Sequence, residues 1–101
     1  MKKYLSVLFV ALTITLPHQT IANPVERACN RSDRGAATRA LCSCIGHVAD
    51  NTLSRAQMRE GARFFNDPQR AQDVRQSDRR SDERLWQAWR DFGDTAQATC
   101  S

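Results

Sequence analysis

The chain has 101 residues, 26% of them charged and 41% hydrophobic, with a formal net charge of +4. That length holds one domain and excludes a multidomain architecture or a large buried core. The chain carries four cysteines, which matter more for a domain of this size than its modest charge does.

Lys2 and Lys3 give a positive start, Tyr4 to Leu16 is almost wholly apolar, and Pro17 ends the run. Thr20-Ile21-Ala22 then places small residues where signal peptidase accepts them. The apolar run falls short of the ~20 residues needed to span a bilayer. Residues 1–22 are therefore predicted to be a cleavable signal peptide, and residues 23–101 a single disulfide-stapled helical domain, periplasmic or secreted. The stretch before Cys29 is Val25-Glu26-Arg27-Ala28, charged rather than lipoprotein-like. No second apolar segment follows, so no stable membrane insertion is expected after signal removal. Losing Lys2 and Lys3 leaves thirteen arginines against eleven acids, a net of +2 with no lysine. A net of +2 is too small to argue for nucleic acid. Exclusive use of arginine fits a codon bias, and it also fits bidentate grip on carboxylate or phosphate.

From Asn23 onward, sparse Gly and Pro with common Ala, Arg and Gln favour helix. Pro24 suits the first position of a brief helix carrying Cys29. Ser32 to Gly35 reads as a turn. Residues 36–53 read as the first long helix, with Ala37, Leu41, Cys44, Ile45, Val48 and Thr52 as its buried stripe. Ser54 and Gln57 form a capping box, with Leu53 and Met58 placed as a hydrophobic staple, so a helix starts at Arg55 and turns Met58, Ala62 and Phe65 inward. Asp67 caps, and Pro68 opens, a short helix. The last helix spans 81–99 with Ser81 as its cap and Leu85, Trp89, Phe92 and Ala96 on one stripe. The expected fold is all-α, a small bundle of about four helices stapled by two disulfides.

Cys42 and Cys44 point about 200° apart on a helix, so they do not pair with each other. That leaves Cys29–Cys42 with Cys44–Cys100, or Cys29–Cys44 with Cys42–Cys100. Both sets tie the first long helix to the N-terminal segment and to the chain's end. An exported chain with an even number of cysteines is expected to use them structurally. The alternative is thiol-redox or metal chemistry at Cys42 and Cys44, with His47 one turn beyond Cys44 as a third ligand. The spacing lacks the usual Cys-x-x-Cys form, and no fourth ligand suggests itself. No metal or other cofactor is expected.

Arg55, Arg59 and Arg63 repeat every four residues and form a positive ridge. Like charges at that spacing repel by a few tenths of a kcal/mol per pair. Either acids on a neighbouring helix or an anionic partner offsets this. Between Arg75 and Arg90, interleaved acids make solvated ion pairs such as Arg79–Glu83 and Arg90–Asp94 the expectation. Trp86 and Trp89 read as core rather than as a membrane belt or a base-stacking platform, because they sit at helical spacing. His47 and Asp50 share a face without a motivated nucleophile, and no Gly-rich phosphate loop exists. The chain is thus read as a non-enzyme, a monomeric interaction module for an unknown protein or an anionic envelope component.

The segments Glu26-Arg27-Ala28-Cys29, Leu41-Cys42-Ser43-Cys44-Ile45, Phe64-Phe65-Asn66-Asp67-Pro68 and Arg75-Gln76-Ser77-Asp78-Arg79-Arg80, closed by Cys100, resemble a group of small exported four-cysteine α-proteobacterial proteins of unknown function. The resemblance covers essentially the whole of 23–101. Members sometimes carry the label "arginine transporter". A single short apolar stretch cannot form a transport path, so the resemblance implies at most an accessory binding protein for arginine transport.

Overall fold

Side-chain caps set where most of the helices begin. The structure, a computed structural model, describes residues 13–14, 22–32 and 35–101. The signal-peptide reading of 1–22 lies outside the described residues apart from Thr13, Ile14 and Ala22, as do Asp33 and Arg34 in the turn. Helix α1 runs Pro24–Arg31; the Asn23 side chain accepts from the Glu26 N–H at 2.9 Å, and Pro24 stands in the first turn. Helix α2 runs Arg39–Thr52. It starts three residues later than expected, because Thr38 Oγ1 accepts from the Leu41 N–H and fixes the boundary there. Helix α3 runs Arg55–Ala62 behind the full Ser54/Gln57 capping box. Helix α4 runs Pro68–Gln76 with Asp67 as its cap.

Two expectations need correction. Helix α3 does not continue to Phe65 as α-helix. After Ala62 the chain tightens into a 3-10 turn, Arg63–Phe65. The Arg63 carbonyl there accepts from the N–H groups of both Asn66 and Asp67. Tightening rotates the ring pair, so Phe64 is buried while Phe65 is only half-buried. Helix α5 runs Arg80–Cys100, and Ser81 lies inside it rather than capping it. Arg79 takes the cap position with no side-chain cap bond. Ser77 Oγ accepts from the Arg79 N–H at 3.2 Å and turns the chain one step earlier. Asp82 and Glu83 stand in the first turn of α5, where negative charge suits the helix dipole.

The result is all-α: five α-helices among the described residues, joined by two disulfides. This is one helix more than the four or so expected. Helix α2 is the hub, packed on one side by α1 and on another by α5. Helix α3 touches both α1 and α5, and α4 lies outermost against α5 and the 3-10 turn. The core joins Val25, Val48, Ala49, Leu53, Met58 and Phe92, with Ile45, Phe65, Ala88, Trp89 and Ala96 packed around it. Helix α4 buries no residue fully. No helix among the described residues is long and apolar enough to cross a membrane.

Helix α2 is buried on two faces, where the apolar stripe indicated one. Leu41, Cys44 and Ile45 are half-buried, and Ala37 precedes the helix. Thr52 is exposed. Val48 of the expected stripe is buried, and the other buried positions are Cys42, Gly46 and Ala49. These residues are small and add little apolar bulk to a sequence pattern. Small size is what α1 requires here. A Cβ on Gly46 would stand 2.9 Å from the Glu26 Cβ, and Asn23 Nδ2 donates to the Gly46 carbonyl at 2.8 Å.

The second close approach lies at Gly61. A Cβ there would stand 2.2 Å from the Trp89 ring. The indole therefore lies directly on the α3 backbone. Phe64 and Phe65 meet its ring edge-on at 5.3 and 6.4 Å between centroids, and Phe92 packs at 4.8 Å. Rings in this arrangement add about 0.5–1.5 kcal/mol per pair beyond their buried area.

Candidate functional site

The cysteines pair as Cys29–Cys42 and Cys44–Cys100, with Cα atoms 5.6 and 5.8 Å apart. Both distances lie inside the range a disulfide accepts without backbone movement. The first bridge joins α1 to α2, and the second joins α2 to the last residue of α5. Of the two pairings left open by the sequence, this is the one in which the near border of α2 reaches α1 and the far border reaches α5. Cys42 and Cys44 therefore belong to different bridges and are not brought together as a dithiol. His47 is exposed one turn from Cys44. Among the described residues no cysteine is free, and no group of three metal-ligating side chains assembles. Asp50, the other member of the pair weighed with His47, accepts instead from Asn23 Nδ2 at 2.9 Å. Two bridges in a chain this small are the usage of an oxidising compartment.

The arginine ridge divides. Arg55, Arg59 and Arg63 are all exposed. Arg63 sits 3.6 Å from Glu60, which also reaches Arg70 on α4 at 3.5 Å. These are the two ion pairs among the described residues, and exposed pairs of this kind contribute about 0–1 kcal/mol each. Arg55 and Arg59 make no ion pair among the described residues, and neither do the expected pairs Arg79–Glu83 and Arg90–Asp94.

Arg63 meets two arginines that the sequence reading passed over. Arg27 and Arg31, four apart on α1, line a depression of about 180 Å³ with Arg63 and Asn66, floored by Ala28 and Ala62. Three arginines and one asparagine thus line one concavity, and no acidic residue lines it among the described residues, although Arg63 pairs with Glu60 beside it. Arg27 Nη1 donates to the Ala22 carbonyl at 2.9 Å, the residue expected at the signal cut. The i, i+4 spacing of Arg27 and Arg31 was visible in the sequence. What was not visible was that an eight-residue helix docks its arginine edge against the end of α3. The inner stripe of α5 does as expected: Leu85 and Phe92 are buried, Trp89 and Ala96 half-buried, and Trp86 beside them is half-buried too. Phe64, Phe65, Pro68, Ala71 and Trp89 also line a separate apolar depression of about 270 Å³.

Searches against family models, curated proteins and solved structures give no match to this chain.

Proposed function

We propose that this protein is an exported, disulfide-stapled binding module, working in the periplasm or the medium, that holds an anionic partner on its arginine surface. Arg27, Arg31 and Arg63 form the centre of that surface, and Arg55 and Arg59 extend it along α3. The observation that supports this reading is that three arginines from α1 and the end of α3 line one depression with no acidic residue in its lining. Arginine presents a planar fork of donors matched to carboxylate or phosphate oxygens, and Asn66 adds a neutral amide at the rim. In a chain that begins at Asn23, Arg27 no longer has the Ala22 carbonyl as acceptor and turns its donors to the ligand.

The test uses chain 23–101 with a short polyaspartate peptide and inorganic pyrophosphate as probes. Replacing Arg27, Arg31 and Arg63 together with glutamine is expected to weaken binding of at least one probe by tenfold or more, with the thermal midpoint nearly unchanged. Replacing Arg75, Arg79 and Arg84 in the same way leaves affinity within a factor of two. The wild-type affinity falls as salt rises, as exposed charge requires. Equal loss in the two triple variants would reduce the effect to net charge and dismiss the depression. Free arginine serves as a third probe. Its guanidinium is repelled by the lining, so no heat of binding is expected; a clear signal there would instead support an arginine-binding accessory role.

A further inference from the structure

The two disulfides occupy different environments. Cys29 and Cys42 are 3% and 0% exposed, sealed between α1 and α2. Cys44 and Cys100 are both only half-buried. Cys100 is the last residue of α5, followed by an exposed Ser101. It also lines an open apolar groove of about 320 Å³, together with Leu41, Ile45, Ala96 and Gln97. Thiol–disulfide exchange needs a thiolate to reach a sulfur atom, and helix ends are where local opening is easiest. Two observations thus point at one bridge: partial exposure and a groove that leads to it.

We propose that Cys44–Cys100 is a site of thiol–disulfide exchange on the folded protein, a redox clasp for the end of α5, while Cys29–Cys42 is purely structural. The co-reactant is a dithiol. One thiolate attacks the Cys100 sulfur, forming a mixed disulfide and releasing Cys44 as a thiolate that takes a proton from water. The second thiol of the co-reactant, as its thiolate, then attacks the co-reactant's own sulfur in the mixed disulfide and releases Cys100 as a thiolate, which is protonated in turn. The bridge gains two electrons and two protons, and the co-reactant leaves as its disulfide. Opening unties the last turn of α5 from α2 and uncovers Leu41 and Ile45 beneath Ala96. Oxidation by a disulfide of the same class closes it again. This reading is independent of the anion surface and involves none of its residues.

The experiment treats chain 23–101, folded and fully oxidised, with dithiothreitol at several substoichiometric concentrations. The reaction is quenched with acid before about a tenth of the molecules have reacted, and free thiols are alkylated and located by mass spectrometry. Among molecules with one open bridge, Cys44 and Cys100 are expected to carry the label at least ten times as often as Cys29 and Cys42. The initial rate should rise in proportion to dithiol concentration, as direct attack on the folded state requires. A ratio below ten, or a rate that saturates at the rate of global unfolding, overturns the proposal.

Discussion

With Cys44 and Cys100 both replaced by alanine, unfolding free energy falls by about 4 kcal/mol, the chain-entropy value for a loop of this length. The two cysteines stand 56 residues apart, against 13 for Cys29 and Cys42. The bridge therefore removes far more freedom from the unfolded chain than the local one, for which the same model gives about 3 kcal/mol. Because both residues are only half-buried, little packing is lost with them, and the effect isolates the cross-link. In a domain of this size, about 4 kcal/mol corresponds to a fall of roughly 15–30 °C in thermal midpoint. Thermal and urea unfolding, followed by circular dichroism with the Cys29–Cys42 bridge intact, measures it. A shift of only a few degrees would mean that the packing of α2 on α5 holds α5 in place without covalent help.

The second large effect is at Trp89. Replacing it with alanine is expected to cost about 3 kcal/mol, the lower end of the range for a large aromatic because the ring is half-exposed. The more discriminating result comes from pairing this change with Gly61→Ala. Alone, Gly61→Ala drives a methyl group into an indole that Phe64, Phe65 and Phe92 hold in place. Overpacking of that kind costs about 1–3 kcal/mol. It exceeds the gain of about 1 kcal/mol that alanine brings to a helix interior. In the Trp89→Ala background the obstacle is gone, and Gly61→Ala becomes stabilising by most of that helix gain. The sign of the Gly61 effect thus reverses with the residue at position 89. Urea unfolding of the four proteins in this cycle reads the coupling directly. Additive costs would show that the ring relaxes away from the α3 backbone at no expense.

How far the sequence foretold these features depends on the kind of signal each one left. The caps at Asn66-Asp67-Pro68 and Ser54-Gln57 were legible because capping is local chemistry, fixed by a side-chain oxygen and an N–H three residues on. The start of α5 was misplaced for a related reason. Ser81 offers a hydroxyl at a plausible cap position, but the helix already begins at Arg80 behind Arg79, with no side-chain cap bond to mark its start. The burial of Cys42, Gly46 and Ala49 was not legible, since close helix approach selects small residues and leaves no hydrophobic stripe to find. Gly61 belongs to the same class: an isolated glycine in a helix, explained only by the indole above it. At the arginine surface, Arg63 was found from its spacing within α3. Arg27 and Arg31 were missed because their role arises from docking between helices distant in sequence. The disulfide pairing was narrowed to two sets by the helical wheel. Choosing between them required knowing which face of α2 meets α1.

The account depends on α2 being tied on one face to α1 and on the other to the end of α5. The most direct measurement is a disulfide map of the unreduced protein. Trypsin leaves Cys42 and Cys44 on one peptide, residues 40–55, joined to residues 28–31 and 91–101, so digestion alone does not separate the pairings. Fragmentation of the backbone at Ser43 does. The expected result is a Cys42 fragment carrying the Cys29 peptide and a Cys44 fragment carrying the Cys100 peptide. Crossed fragments, or an alkylatable Cys29 or Cys42 in the native material, would contradict the architecture.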